Sequence, residues 1–347
     1  MSTSTRPSDS KAIQKAFENA ERVFGPELEK ARDDWRKYAV EKIRYLSFAG
    51  GGTSAIISAC VLSDMFRHDA TAYRRWRREK LMGVSGTSFG SIVACMICGG
   101  MDWNECIECV LDVFADGFNI EDRIATFHTR DCVMDESTVS ASLGKICKRA
   151  FHHESATFDE VFALSGGIDL VIICCDIRTG ENVRLCKDRC PGMSVADALR
   201  ASCAIPLVIP ALPFADMTLV DGGMINNFAF AFDDVRRTLF LSTRFEGLAS
   251  VGSVSFSDAY EASKIMIDSQ QFMLRKSVPA FNIVMSPRVF GFLAFPFDSR
   301  RETLDAFSRE CSSALMRAFS RQWIISISMA SIFLALRPLS LSPSSSS

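Results

Sequence analysis

Hydrophobic positions along the chain follow one spacing before residue 43 and another after it. Between residues 11 and 42 apolar side chains recur every three or four positions. Ile13, Phe17, Ala20 and Phe24 share one face, Gly25-Pro26 interrupts, and Leu28, Ala31, Trp35 and Tyr38 resume with mixed charges opposite. This spacing predicts a helical arm in two parts that packs against whatever follows. From residue 43 short apolar runs alternate with longer helical ones. Tyr45–Ala49 predicts a strand, Ser54–Met65 an apolar helix, Leu81–Ser85 a second strand, and the run after Ser88 a helix that stops at Gly99-Gly100. Buried strands alternating with helices predict an α/β fold of three layers, a mainly parallel sheet with helices on both faces. Segments 102–165 and 184–200 are expected to add helices and loops that border a substrate channel.

Three glycine-flanked motifs punctuate this pattern in order: Gly50-Gly51-Gly52, then Gly86-Thr87-Ser88-Phe89-Gly90, then Asp221-Gly222-Gly223. In the second, Gly86 and Gly90 flank Ser88 in the Gly-x-Ser-x-Gly form that sets a serine on a tight strand-to-helix turn. Ser88 is the candidate nucleophile, at the mouth of the sheet and the N-terminus of a helix that favours developing negative charge. Both it and the glycine turn fall at the carboxyl ends of strands, where open α/β sheets place their sites.

The general base is not a histidine. The chain has four, His68, His128, His152 and His153, and none follows residue 153. A triad in the order Ser, Asp or Glu, His would need His128 or the His152-His153 pair, too close after Ser88 to leave room for intervening strands and helices. Asp221 offers another partner. It follows the apolar run Met217–Val220 and precedes two glycines that let the backbone turn sharply, so it can act on Ser88 directly.

With these motifs the chain resembles the patatin-like phospholipases, acyl hydrolases built on a Ser-Asp dyad. The similarity also takes in strand Asp169–Asp176 with Ile177-Arg178-Thr179-Gly180, and the stretch Ala198-Leu199-Arg200-Ala201-Ser202-Cys203-Ala204-Ile205-Pro206, over residues 43–300. The resemblance implies an oxyanion hole at Gly50, Gly51 and Gly52, a nucleophile at Ser88, a base at Asp221, and an acyl-enzyme released by water. It implies cleavage of fatty-acyl esters of phospholipids or lysophospholipids without a metal or other cofactor. Two departures from the family pattern are visible. Thr53-Ser54-Ala55 stands where a basic residue and a further glycine are usual, and Phe228 stands where a proline often follows the asparagine, here Asn227. They keep two alternatives open: a catalytically silent lipid-binding or interaction module of the same fold, and a soluble esterase or thioesterase.

Composition agrees with an α/β enzyme. The chain has 347 residues, 48% hydrophobic, with a net charge of -2, which gives no nucleic-acid signal. Its 13 cysteines lie mostly in apolar runs such as Ile172-Ile173-Cys174-Cys175, behind no signal sequence, which points to a reducing, cytoplasmic setting, while peripheral membrane association is the expectation attached to the apolar segment Trp323–Leu336. Cys95/Cys98 and Cys106/Cys109 have zinc-like spacing, but a spacing of three on a helix also places both on one buried face, and no histidine completes a site. Arg74, Arg75, Arg77, Arg78 and Lys80 surround Trp76 just before the strand that leads to Ser88. They are therefore expected on the side of the sheet away from the nucleophile, as a solvated face.

Two phenylalanine-rich stretches, 228–232 and 290–297, could pack the core, line an acyl pocket or touch a bilayer. Trp323–Leu336 is apolar but short for a membrane span and reads as an interfacial or buried helix. The expected organisation is a disordered start and helical arm over 1–42, a catalytic domain over 43–320, and an apolar, then Ser/Pro-rich tail over 321–347.

Overall fold

The computed structural model describes residues 30, 33–114, 132–225, 227, 230–245 and 280–285. Residues 1–29, the stretch 290–297 and the tail 321–347 lie outside this set. Arg36–Leu315 forms one compact unit, to which everything below belongs; of the other, Met1–Trp35 with Met316–Ser347, only residues 30 and 33–35 are described.

After a helical stretch to residue 42 the chain forms β1 (Tyr45–Phe48), a 3-10 turn (Gly52–Ile57) running into α1 (Ser58–Met65), α2 (Ala70–Lys80), β2 (Gly83–Thr87) and α3 (Phe89–Cys98). Then come α4 (Trp103–Phe114), α5 (Glu136–Phe151), α6 (Phe158–Leu164), β3 (Asp169–Asp176), β4 (Glu181–Leu185) and α7 (Val195–Ser202). β5 (Leu212–Phe214), β6 (Met217–Asp221), β7 (Thr238–Phe245) and β8 (Ala280–Met285) follow.

The strands join in the order β5-β6-β3-β2-β1-β7-β8, with β4 also paired to β3. The centre is parallel, whereas β4, β5 and β6 pair antiparallel. The sheet is thus mainly parallel as expected, through the five strands β3-β2-β1-β7-β8, with antiparallel pairs at β4, β5 and β6. Hairpin-length connections explain this: a turn such as Ile177–Gly180 can only return the chain antiparallel, while β1, β2 and β3 are joined through helices.

Local chemistry fixes the helix ends. The Asp69 carboxylate accepts from the amides of Thr71 and Ala72 at 2.9 and 3.0 Å to start α2, and Thr157 with Glu160 forms a capping box at α6. α3 is apolar nearly all round, and all ten of its residues are buried. Side chains such as Phe48, Leu46 and Ile57 lie fully inside, each stabilising by roughly 1.5–3 kcal/mol. Successive residues of β2 point to opposite faces: Gly86 lies against Gly90 and Ser91 of α3, and Gly83 against the Phe232 ring on the other side. Phe232 also stacks on Tyr45, with ring centroids 4.5 Å apart. With Ala231 it covers Val171 and Ile173 of β3. The described part of the first phenylalanine-rich stretch is thus core packing.

The basic run forms α2, at the amino end of β2 as expected. Its charges are more engaged than a solvated face requires: Arg74 pairs with Asp102, and Arg77 donates to the carbonyls of Ile97 and Cys98. Cys95, Cys98, Cys106 and Cys109 are buried free thiols on α3 and α4. Among the described residues no group of three or more His, Cys, Asp or Glu side chains could hold a metal ion, and no helix is long and apolar enough to cross a membrane.

Candidate active site

β2 and β6 deliver the two key residues to one place. Thr87, the last residue of β2, pairs with Ile173 of β3; Asp221, the last of β6, pairs with the next residue, Cys174. The strands approach from opposite directions, so their ends meet and the chain turns away from both at the same level. A Cβ on Gly222 would meet the Ile173 carbonyl oxygen at 2.5 Å and the Thr87 methyl carbon at 3.1 Å, so only a glycine fits between them.

Ser88 leaves β2 with φ 53° and ψ −135°, outside the regions a serine ordinarily occupies, and opens α3. Glycine makes this turn possible. A Cβ on Gly86 would overlap the Gly90 backbone, and one on Gly90 would meet the Ala49 carbonyl oxygen at 2.5 Å, so the end of β1 presses directly on the start of α3. The Ser88 amide donates to the Ser202 hydroxyl at 2.9 Å, and the Ser88 carbonyl accepts from the Ser91 amide at 2.8 Å and the Ser91 hydroxyl at 2.6 Å.

Asp221 is 4% exposed. Its carboxylate accepts from the Gly223 amide at 2.7 Å and has the Ser88 side chain beside it. Burial pushes the carboxyl up to about 6, against the lowering effect of these two neighbours. Among the described residues no cation tunes it, and the thiols around it, Cys174, Cys175 and Cys203, are themselves pushed up, chiefly by burial. A carboxyl in so dry a setting is a stronger base than a solvated one, and it already lies beside a hydroxyl.

The glycine turn borders the same spot. A Cβ on Gly50 would lie 2.8 Å from that of Ser88. The Gly50 amide, however, is engaged: it donates to the Asn227 side-chain oxygen at 2.8 Å, while the Asn227 amide nitrogen donates to the Gly50 carbonyl at 3.1 Å. Asn227 therefore holds the turn in place. Gly51 precedes the 3-10 turn, and Gly52 opens it with φ 59°, so the Gly52 amide is one of the donors that a helix start leaves without an intrahelical acceptor. Thr53-Ser54-Ala55 falls inside the turn.

The structure thus brings together Ser88, Asp221 and the start of the glycine turn, with Gly86, Gly90, Gly222 and Gly223 as the spaces that permit it. The sequence reading assigned no role to Asn227 or Ser202. Each had a signal: Asn227 stands six residues after Asp221, and Ser202 is a hydroxyl between Ala201 and Cys203 at the end of a helix.

A family model described as patatin-like phospholipase matches residues 46–232, more than half of the chain. Among curated proteins, the uncharacterized protein R571 of Acanthamoeba polyphaga mimivirus is 21% identical over 209 residues, which is 59% of this chain and 66% of that protein. The chain therefore spans just under two thirds of that relative's length. Among solved structures, VipD from Legionella pneumophila is 13% identical, with a TM-score of 0.44 over 79% of this chain and 66% of that one. The type III effector protein ExoU, also 13% identical, gives a TM-score of 0.38 over 81% and 53%.

Proposed function

The chain belongs to the patatin-like phospholipase family, and from that premise we propose that it is a lipid acyl hydrolase, cleaving fatty-acyl esters of phospholipids or lysophospholipids with Ser88 as nucleophile and Asp221 as base. The observation that carries this reading is the buried Asp221 carboxylate, brought beside Ser88 where the ends of β2 and β6 meet.

The chemistry follows from the roles. As Ser88 Oγ attacks the ester carbonyl carbon, its proton passes to Asp221 and the carbonyl oxygen becomes an oxyanion. In this reading the glycine turn, with the Gly52 amide at the start of its 3-10 turn, receives that oxyanion, and the N-terminus of α3 adds a favourable dipole. Collapse expels the alcohol, which takes the proton from Asp221, and leaves an acyl-enzyme. Water then attacks the acyl group with Asp221 again as base, and the fatty acid leaves. A carboxylate is a weak base for an alcohol, so the fixed geometry and the oxyanion donors supply much of the rate.

Two exposed apolar side chains support a lipid phase as the source of substrate. Leu207 is 55% exposed and Met224 is 44% exposed. Each lies three residues from a group that binds or carries the base, Ala204 and Asp221 respectively. On this reading both would meet the membrane surface beside the site.

The test is fatty-acid release from mixed phospholipid vesicles, with chelator present, by the wild type and Ser88→Ala, alongside fluorophosphonate labelling. Release and labelling by the wild type, both lost in Ser88→Ala, are expected. A folded wild type that does neither sinks the reading in favour of a silent binding module. Preference for monomeric short-chain esters over vesicles moves the substrate to soluble esters or thioesters.

A further inference from the structure

Two hydrogen bonds at the carboxyl end of α7 have no part in the chemistry above. α7 ends at Ser202, a fully buried residue whose hydroxyl accepts the Ser88 amide proton at 2.9 Å and donates to the Ile173 carbonyl at 2.7 Å. Two residues on, the Ala204 carbonyl accepts the Asp221 amide proton at 3.0 Å. A single segment of three residues therefore grips the backbone of both Ser88 and Asp221.

The chemistry of position 202 is demanding. It faces a backbone N–H on one side and a backbone C=O on the other, and among small side chains only a hydroxyl both accepts and donates well. A side chain needed only to fill space would be apolar, as buried Ala201 and Ala204 are. Ser88 in addition holds an unfavourable backbone conformation, which persists only where its surroundings over-determine it. The grip itself is anchored from behind. Buried Arg200 pairs with Glu136 at 3.1 Å, and the carbonyls of Leu207 and Val208 accept from the amides of Val133 and Met134 at 3.0 and 2.8 Å.

We propose that Ser202 and Ala204 form a positioning clamp that sets the separation of Ser88 from Asp221, with the Ser202 hydroxyl as the part that side-chain substitution can release. The proposal rests on the reading of Ser88 as nucleophile and Asp221 as base, and adds what holds them at working distance. Ser202 is a positioning residue: its hydroxyl is spent on the backbone and touches neither substrate nor leaving group.

The test uses the full chain and the rate of fluorophosphonate labelling per folded molecule, followed from mildly acidic to mildly alkaline pH, with Ser88→Ala as the blank. In Ser202→Ala the rate falls on the order of 10- to 100-fold. Its rising pH limb also moves to higher pH, because the Ser88 hydroxyl that holds Asp221 down has drawn away. The other titratable groups facing Asp221 are the thiols of Cys174 and Cys175 on β3 and of Cys203 beside the clamp, all pushed up chiefly by burial, so none ionises in this window.

Ser202→Cys, which keeps the volume but is a weak donor and acceptor, shifts rate and limb in the same direction. Wild-type rates in Ser202→Ala overturn the clamp, and so does a slower rate with an unmoved limb, which reports lost packing alone. Failure of both variants to fold also overturns it, making Ser202 a stability residue. A folded wild type that does not label removes the nucleophile itself, an outcome distinct from each of these.

Discussion

The two ends of the sheet treat buried polar groups in opposite ways. At the amino end the charges of Arg74 and Arg77 on α2 are answered by acceptors. Arg74 lies 2.8 Å from Asp102 and 3.1 Å from Glu105, and Asp102 also accepts from the amides of Asn104 and Glu105. Arg77 donates to the Ile97 carbonyl at 2.8 Å and to that of Cys98, capping the negative end of α3. At the carboxyl end Asp221 is buried among thiols with no cation among the described residues tuning it, and Ser88 holds a left-handed φ. The first arrangement lowers the energy of the fold. The second raises it locally and places the excess on two atoms able to exchange a proton, as expected where geometry serves chemistry rather than stability.

Asp221→Asn breaks this contrast most sharply, because it acts on rate and stability in opposite directions. Loss of the base lowers fatty-acid release on the order of 10²- to 10⁴-fold. Stability moves the other way. Folded Asp221 keeps its proton up to about pH 6, whereas the unfolded chain releases it near the ordinary value of about 4. Folding therefore takes up a proton between those values, and stability falls as pH rises through that window. Above it the penalty is at most about 3 kcal/mol, and asparagine removes it. Urea unfolding is expected to show Asp221→Asn more stable than wild type at neutral pH, with the gap closing in acid. A variant less stable than wild type at neutral pH would mean the carboxylate stabilises the fold after all. The same ionisation predicts that wild-type kcat/KM rises with pH through about 6.

Asn227→Ala probes the border between the two regimes. Its side chain is spent on Gly50, at 2.8 and 3.1 Å, and so serves structure and site together. Removing both bonds is expected to cost about 1–2 kcal/mol of stability. It also loosens the turn that carries the oxyanion donors, lowering kcat by roughly tenfold with little change in KM. A drop in stability alone would assign Asn227 to the fold and leave the oxyanion turn self-supporting.

The carboxyl end was also the more legible in sequence. Glycines at 86, 90 and 222 mark places where backbone must pass close to backbone, and proximity of that kind leaves few other choices of residue. The strand-and-helix alternation from Tyr45 to Cys98 was readable for the same reason, since near-continuous apolar runs admit few other arrangements. Three features were not legible. The antiparallel pairing of β6 depends on which neighbour a short strand finds, which periodicity does not encode. The grip of Ser202 on Ser88 joins residues more than a hundred positions apart. The basic run hid its order differently: Arg74 and Arg77 look like Arg75 and Arg78 until the residue before α4 and the end of α3 supply Asp102 and two carbonyls.

That distinction within the basic helix gives the smallest expected effect. Arg77→Ala takes the cap from the carboxyl end of α3 and should lower stability by about 1 kcal/mol, read as a shift of the urea midpoint. The helix begins at Ser88, yet kcat is expected to stay at the wild-type value. The Ser88 turn is held at its own end by Ser202, by Ser91 and by glycine packing, so a loosened last turn ten residues away has no rigid path to it. Arg75→Ala, a change at an exposed position, should shift neither quantity. A fall in kcat for Arg77→Ala that exceeds its loss of folded protein would show α3 transmitting strain along its length, and the two ends of the sheet would then be one mechanical unit.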